Sequence, residues 1–155
     1  MSKANVMQQF IEETNLDAAL VYYPANRRYL SGFTGSTGYV LLTPTASLFF
    51  SDFRYVEQAQ NECKGYKVIS IKGEDDVLAY LKEKKITKLG IERDFMTLRF
   101  ADALRTIGGV EKVAGIDHLI ANLRMIKDDV ELLKIRRACE ITDLAFEYIL
   151  TQICE

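Results

Sequence analysis

The sequence is short of the residues that most metal, redox and membrane chemistry requires. Its 155 residues hold one histidine, His118, with no HExxH or HxH pattern. A mononuclear zinc centre of the usual histidine-rich kind cannot be assembled from this chain alone. Counting does not exclude a carboxylate-rich centre, but the acidic residues sit mostly in charge-mixed, helix-like surroundings. His118 falls between Asp117 and Leu119 in what reads as a connection, the setting of a surface or capping histidine. The three cysteines, Cys63, Cys139 and Cys154, are far apart and form no CxxC pair. Their number and spacing argue against disulfides and zinc knuckles and for a reducing cytoplasm.

Also missing is any apolar run close to the roughly 20 residues that cross a bilayer. The opening MSKANVMQQFIEETN has no apolar core of a signal peptide. A formal net charge of −2 leaves no basic footprint for nucleic acid. The one lysine cluster, Lys82, Lys84, Lys85 and Lys88, is interrupted by Glu83 and reads as a solvated helix C-terminus. Neither an internal repeat nor a low-complexity tract is present. What is there is ordinary: 48% hydrophobic and 27% charged residues, enough for one domain with a real core and a short piece of a second.

Periodicity predicts a helix over 2–15, with Val6, Phe10 and Ile11 on one side and a stop at Asn15. A buried strand is expected over 18–23. Two strands, 39–43 and 46–51, flank Pro44-Thr45 as a tight hairpin. A helix over 52–63 turns Val56 and Ala59 inward, a strand follows over 66–71, and a helix over 75–85 carries Val77, Leu78 and Leu81. A strand over 88–92, a helix over 97–107 stopped by Gly108-Gly109 and a last strand over 111–115 complete the series. The class is α/β, a mixed β-sheet flanked by helices, with at least one antiparallel pair from the hairpin. A boundary near 123–128 gives an expected division into 1–123 and 124–155.

From Asp128 onward the chain reads as one long helix. Leu132, Ile135, Ala138, Ile141, Ala145, Ile149 and Ile153 form one stripe, while Leu144, Phe146, Tyr148 and Leu150 add apolar surface on other sides. Such a helix is expected to be covered by further protein, as if the chain were part of something longer. Asp128 is placed to cap it, with Glu131 in the capping-box position.

Three segments stand out as functional candidates. Residues 26–38 carry glycine as GxxGxxG between Ser and Thr, a pattern that reads as a structural loop between strands. Its backbone N–H groups could face an anion, but it is neither a P-loop nor the GxGxxG fingerprint. No helix follows Gly38 to hold a phosphate. In the second segment, 51–59, Ser51 or Asp52 can cap the next helix, and Arg54 can pair with Asp52 or Glu57 or reach across an interface. The third is the stretch 123–138 around the helix start.

In this order and at these separations the segments resemble the creatinase-type N-terminal domain of the Xaa-Pro peptidases, the Xaa-Pro aminopeptidases and dipeptidases (prolidases). The family pattern Asn-x-x-Tyr-Leu-Ser/Thr-Gly-Phe-Thr-Gly-Ser is matched from Asn26 through Tyr29, Gly32, Phe33 and Gly35 to Ser36. Asp52, Arg54 and Tyr55 match Asp-x-Arg-Tyr, and Arg124, Ile126, Lys127, Asp128, Glu131, Ile135, Arg136 and Ala138 match the linker. The resemblance implies a two-domain parent that cleaves the bond between an N-terminal residue and proline. Its catalytic domain, of the pita-bread fold, holds two divalent metals, Mn or Co, on ligands that this chain lacks. It further implies no metal and no catalytic residue in this chain, which alone should be inactive. The expected partners are its own catalytic domain, a second copy in a homodimer, and proline-containing peptides, but neither nucleic acid nor membrane. Asn26 and Phe33 are expected nearest substrate; Tyr29, Gly32, Gly35, Ser36, Asp52, Arg54 and Tyr55 are expected at the motif surface, with Arg124 and Lys127 in the linker. A creatinase-like amidinohydrolase parent and a free-standing small-ligand-binding module are the alternatives.

Overall fold

The run Ala18–Val21 (β1) is buried at all four positions, as a strand covered on both faces must be. The computed structural model describes residues 2–153, and β1 lies inside its sheet of order β4-β3-β2-β1-β5-β6. On one side β1 pairs antiparallel with β2 (Tyr39–Leu42), which turns back through Pro44-Thr45 into β3 (Ser47–Asp52). On the other it pairs parallel with β5 (Lys88–Ile91), and β5 with β6 (Lys112–Gly115). β4 (Lys67–Ile71) runs parallel to β3. The hairpin supplies the β2–β3 pair, β1 and β2 are antiparallel across the connection that holds residues 22–38, and the remaining pairs are parallel, which is the mixed sheet expected.

Strand alternation divides the core. Leu20, Leu41, Leu48, Phe50, Leu89 and Ile91 join Val77, Leu78 and Leu81 of α4 (Glu74–Glu83) and Phe100 and Leu104 of α5 (Leu98–Thr106) in one cluster. The alternate residues Ala19, Val21, Val40, Leu42 and Phe49 are equally buried and face the opposite side. α1 (Lys3–Glu13) buries Met7 and Ile11. Its end matches the stop at Asn15, which takes a positive φ of 54°.

Three expectations change. The first part of the segment 26–38, read as loop, belongs instead to a helix, α2 (Pro24–Ser31). Pro24 sits at the start, where its missing N–H costs nothing. Gly32 ends the helix in the left-handed conformation, φ 78°. The helix expected from residue 52 begins later, as α3 (Val56–Glu62), with neither Ser51 nor Asp52 as its cap. Ser51 is buried within β3, and Asp52 turns its carboxylate to Arg54 instead. The stretch around His118, read as a connection, is helical instead: Asp117–Met125 form α6, which carries His118 in its first turn, exposed as expected.

The chain divides into two compact units, Met1–Ala121 and Asn122–Glu155. The second holds α7 (Asp129–Gln152), started by the full capping box: Glu131 N–H donates to Asp128 Oδ1 at 2.8 Å and Asp128 N–H to Glu131 Oε2 at 3.0 Å. None of its residues is buried; Leu144 and Phe146 are 59% and 62% exposed. An apolar surface of this extent marks an interaction face.

Candidate functional site

The site is built around Glu92, the residue that follows β5. Its side chain is fully buried. Oε2 accepts from the N–H groups of Tyr22 and Tyr23 at 2.7 and 2.8 Å, and Oε1 from Asn26 Nδ2 at 2.7 Å. The carboxylate therefore ties down the entry to α2 through the N–H groups of the cap residue Tyr23 and of Tyr22 before it, and through the Asn26 side chain. This helix lies ahead of the glycine loop rather than behind it. Burial pushes the Glu92 carboxyl up; its hydrogen bonds to Tyr23, Asn26 and Tyr22 pull it down, nearby Asp117 adds to the rise, and the net direction is upward.

From this fixed start α2 delivers the loop 32–38. Phe33 is 1% exposed, its ring 4.6 Å from that of Phe49 and perpendicular to that of Tyr55 at 6.0 Å. Gly35 lies directly on these rings: a Cβ there would come within 2.4 Å of Phe33 Cζ and 3.1 Å of Tyr55 Cδ1. Only glycine lets the backbone cross so close. Thr34 ties the loop to α3, its N–H and hydroxyl donating to the Glu62 carboxylate at 2.7 and 2.8 Å, with Gln58 donating to its hydroxyl at 2.9 Å. These bonds hold Glu62 below the ordinary carboxylate range, the Thr34 amide first among them. Ser36 and Thr37 are exposed, and Ser36 Oγ lies 2.9 Å from the Tyr55 hydroxyl.

The turn after β3 completes the rim. Tyr55 N–H donates to the Asp52 carbonyl at 3.0 Å. The Arg54 guanidinium forks onto the Asp52 carboxylate, Nε to Oδ1 at 3.1 Å and Nη2 to Oδ2 at 2.8 Å. Of the pairings open to Arg54 the structure takes Asp52, and the hydrogen bonds from Arg54 depress that carboxyl. Phe53 projects from this turn, 82% exposed.

The expected site residues thus part into two groups. Ser36, Arg54 and Tyr55 meet at the rim, with Gly35 and Asp52 beneath them. Asn26 and Phe33, expected nearest substrate, are 6% and 1% exposed. Their side chains are committed to Glu92 and to the aromatic cluster, so they shape the loop from below rather than face out from it. Tyr29 carries the Lys3 ammonium 3.9 Å over its ring. Arg124 and Lys127 belong to the second unit; Lys127 Nζ donates to the Met125 carbonyl at 2.9 Å. Sequence reasoning missed Glu92, Arg27 and Glu62. The signal for Glu92 was an acid closing the apolar run of a parallel strand, where open α/β sheets place their sites.

Among the described residues no three His, Cys, Asp or Glu side chains gather as metal ligands. His118 lines an open depression of about 490 Å³ with Arg93, Asp94, Gly115, Asp117 and Ala121. The side chains here do not fit a two-metal centre. Nor is any helix among the described residues long and apolar enough to cross a membrane.

The Creatinase/Prolidase N-terminal domain family matches residues 5–126. The uncharacterized peptidase YqhT of Bacillus subtilis is 31% identical over 152 residues, 96% of this chain and 43% of its own length. An Xaa-Pro dipeptidase structure from Bacillus anthracis is 34% identical with a TM-score of 0.87, covering 97% of this chain and 43% of that one. An X-Pro aminopeptidase structure from Thermotoga maritima is 30% identical with a TM-score of 0.84, covering 99% and 44%. The chain spans about 43% of the length of the curated relatives it matches. By a match that runs through α2, the glycine loop, the Asp52–Tyr55 turn and the sheet that carries them, this chain belongs to the creatinase/prolidase N-terminal domain family.

Proposed function

We propose that the chain is the non-catalytic N-terminal domain of a cytoplasmic Xaa-Pro metallopeptidase. Its work is to support a homodimer and to form part of the wall that limits substrate length. The two divalent metals, Mn or Co, belong to the parent's catalytic domain, where they would polarise the scissile carbonyl and supply a hydroxide. The apolar surface of α7 suits burial against the catalytic domain.

One observation carries the reading: a rim of hydroxyls and one exposed ring is presented outward by a buried scaffold. Ser36, Thr37 and Tyr55 offer hydroxyls and Phe53 an apolar tip, a combination suited to touching the end of a short peptide without reacting with it. Asn26 and Phe33 keep that rim in place. The choice between aminopeptidase and dipeptidase rests with the length of peptide the wall admits.

The test uses the intact peptidase that contains this chain. Phe53→Ala should leave kcat on an Xaa-Pro dipeptide within about threefold. It should change the ratio of kcat/KM for dipeptide against longer Xaa-Pro peptides by about tenfold, or 1.4 kcal/mol. An unchanged ratio removes the wall from the proposal; hydrolysis of creatine in place of peptides would favour the amidinohydrolase parent.

A further inference from the structure

Arg27 is a buried cation held by backbone carbonyls. Its residue is 3% exposed, and among the described residues no carboxylate pairs with its guanidinium. Taking a guanidinium out of water costs several kcal/mol unless its surroundings compensate. The compensation here comes from carbonyls and a ring. Nη2 donates to the Gly35 carbonyl at 2.7 Å and Nη1 to the Gly38 carbonyl at 3.1 Å, while Cζ lies 5.6 Å from the Phe33 ring centroid. Nε has no partner. An apolar side chain would join α2 to the sheet without that cost, but it would give the two carbonyls no donor.

Gly35 and Gly38 bracket Ser36 and Thr37. Turning both flanking carbonyls inward fixes the intervening peptide planes and leaves the two hydroxyl side chains facing out, where Ser36 meets Tyr55. The planar fork grips two acceptors at once, which the single ammonium of a lysine cannot reproduce in the same arrangement. Phe33 closes the fork from the side, and its own burial beside Phe49 holds the cation over the ring.

We propose that Arg27 is the positioning residue of the glycine loop: its buried guanidinium sets the conformation of residues 35–38 and, through it, the outward placement of the Ser36, Thr37 and Tyr55 hydroxyls. Buried behind the loop, Arg27 acts through the backbone it holds. The significance of this for peptide selection rests on the wall proposed above, but the loop geometry is testable without any peptidase activity.

Two NMR measurements on the chain decide it. In the unmodified protein the Arg27 Nη groups should show separate, slowly exchanging resonances, because two hydrogen bonds block rotation about the Cζ–Nη bonds. A single averaged signal would overturn the proposal, and this arm needs no variant to fold. In Arg27→Lys, amide order parameters at Ser36 and Thr37 should fall from about 0.85 to below about 0.6, while those of β1, β5 and α4 stay unchanged. A loop as rigid as in the unmodified protein would reduce Arg27 to a space-filling residue. Loosening spread evenly through the sheet would make it a general stability element; either result refutes the positioning role.

Discussion

Glu92→Ala should be among the most damaging single substitutions in the first unit. The carboxylate accepts from one buried donor, the Asn26 amide, and two half-buried ones, the Tyr22 and Tyr23 N–H groups, at 2.7, 2.7 and 2.8 Å, and it joins the end of β5 to the start of α2. Removing it leaves two backbone N–H groups and the Asn26 amide without their acceptor, at about 1–3 kcal/mol each where water cannot enter. Some water entry lowers the sum, so about 3–5 kcal/mol is expected. Glu92→Gln is the control. Its amide oxygen can take the two backbone donors and its NH₂ can serve a flipped Asn26, leaving a loss of about 1 kcal/mol. The pH dependence separates them further. The folded Glu92 carboxyl lies above its unfolded value, so its contribution is complete below that unfolded value and is lost as pH rises through the folded one. Glu92→Gln should remove that slope. Urea unfolding followed by circular dichroism, with Cm and m fitted at several pH values, measures all three quantities. Loss of less than 1 kcal/mol in Glu92→Ala would refute the view that this acid organises the site.

Other outcomes follow from the same geometry. Gly35→Ala should cost about 1–3 kcal/mol by overpacking, since its Cβ meets the Phe33 ring at 2.4 Å; a thermal melt unchanged from the unmodified protein would contradict the close crossing. Glu62 has a folded pKa below its ordinary 4.5, so the contribution of its bonds to Thr34 is present above that value. It is lost as pH falls through the depressed one, which a pH titration of the Thr34 amide resonance will show as a late acid transition. Deleting residues 128–155 should abolish self-association that arises from the exposed faces of α7 and leave any association through the first unit intact, as read by sedimentation velocity.

The sheet was legible because its strands advertise themselves. The Val40–Leu42 and Leu48–Phe50 runs around Pro44-Thr45 pair as a hairpin, and Asp128 with Glu131 makes the expected capping box. The α2 helix was not, because polar Asn26, Arg27 and Arg28 give it no apolar stripe. Its stability comes from Pro24, from Gly32 and from an acid 66 residues away from Asn26. Arg27 and Glu92 were missed for a related reason: their partners are backbone groups and an amide, which leave no complementary charge in the sequence. Burial of Phe33 was equally invisible, since an aromatic among glycines and hydroxyls looks exposed until Phe49 and Tyr55 are placed around it.

The most direct test of the proposed function is hydrolysis of an Xaa-Pro dipeptide and an Xaa-Pro-Xaa tripeptide by the purified chain, with Mn²⁺ or Co²⁺ added. Proline release and tripeptide cleavage at the rate of buffer alone are expected. Turnover that rises with chain concentration and disappears with chelator would contradict a non-catalytic domain.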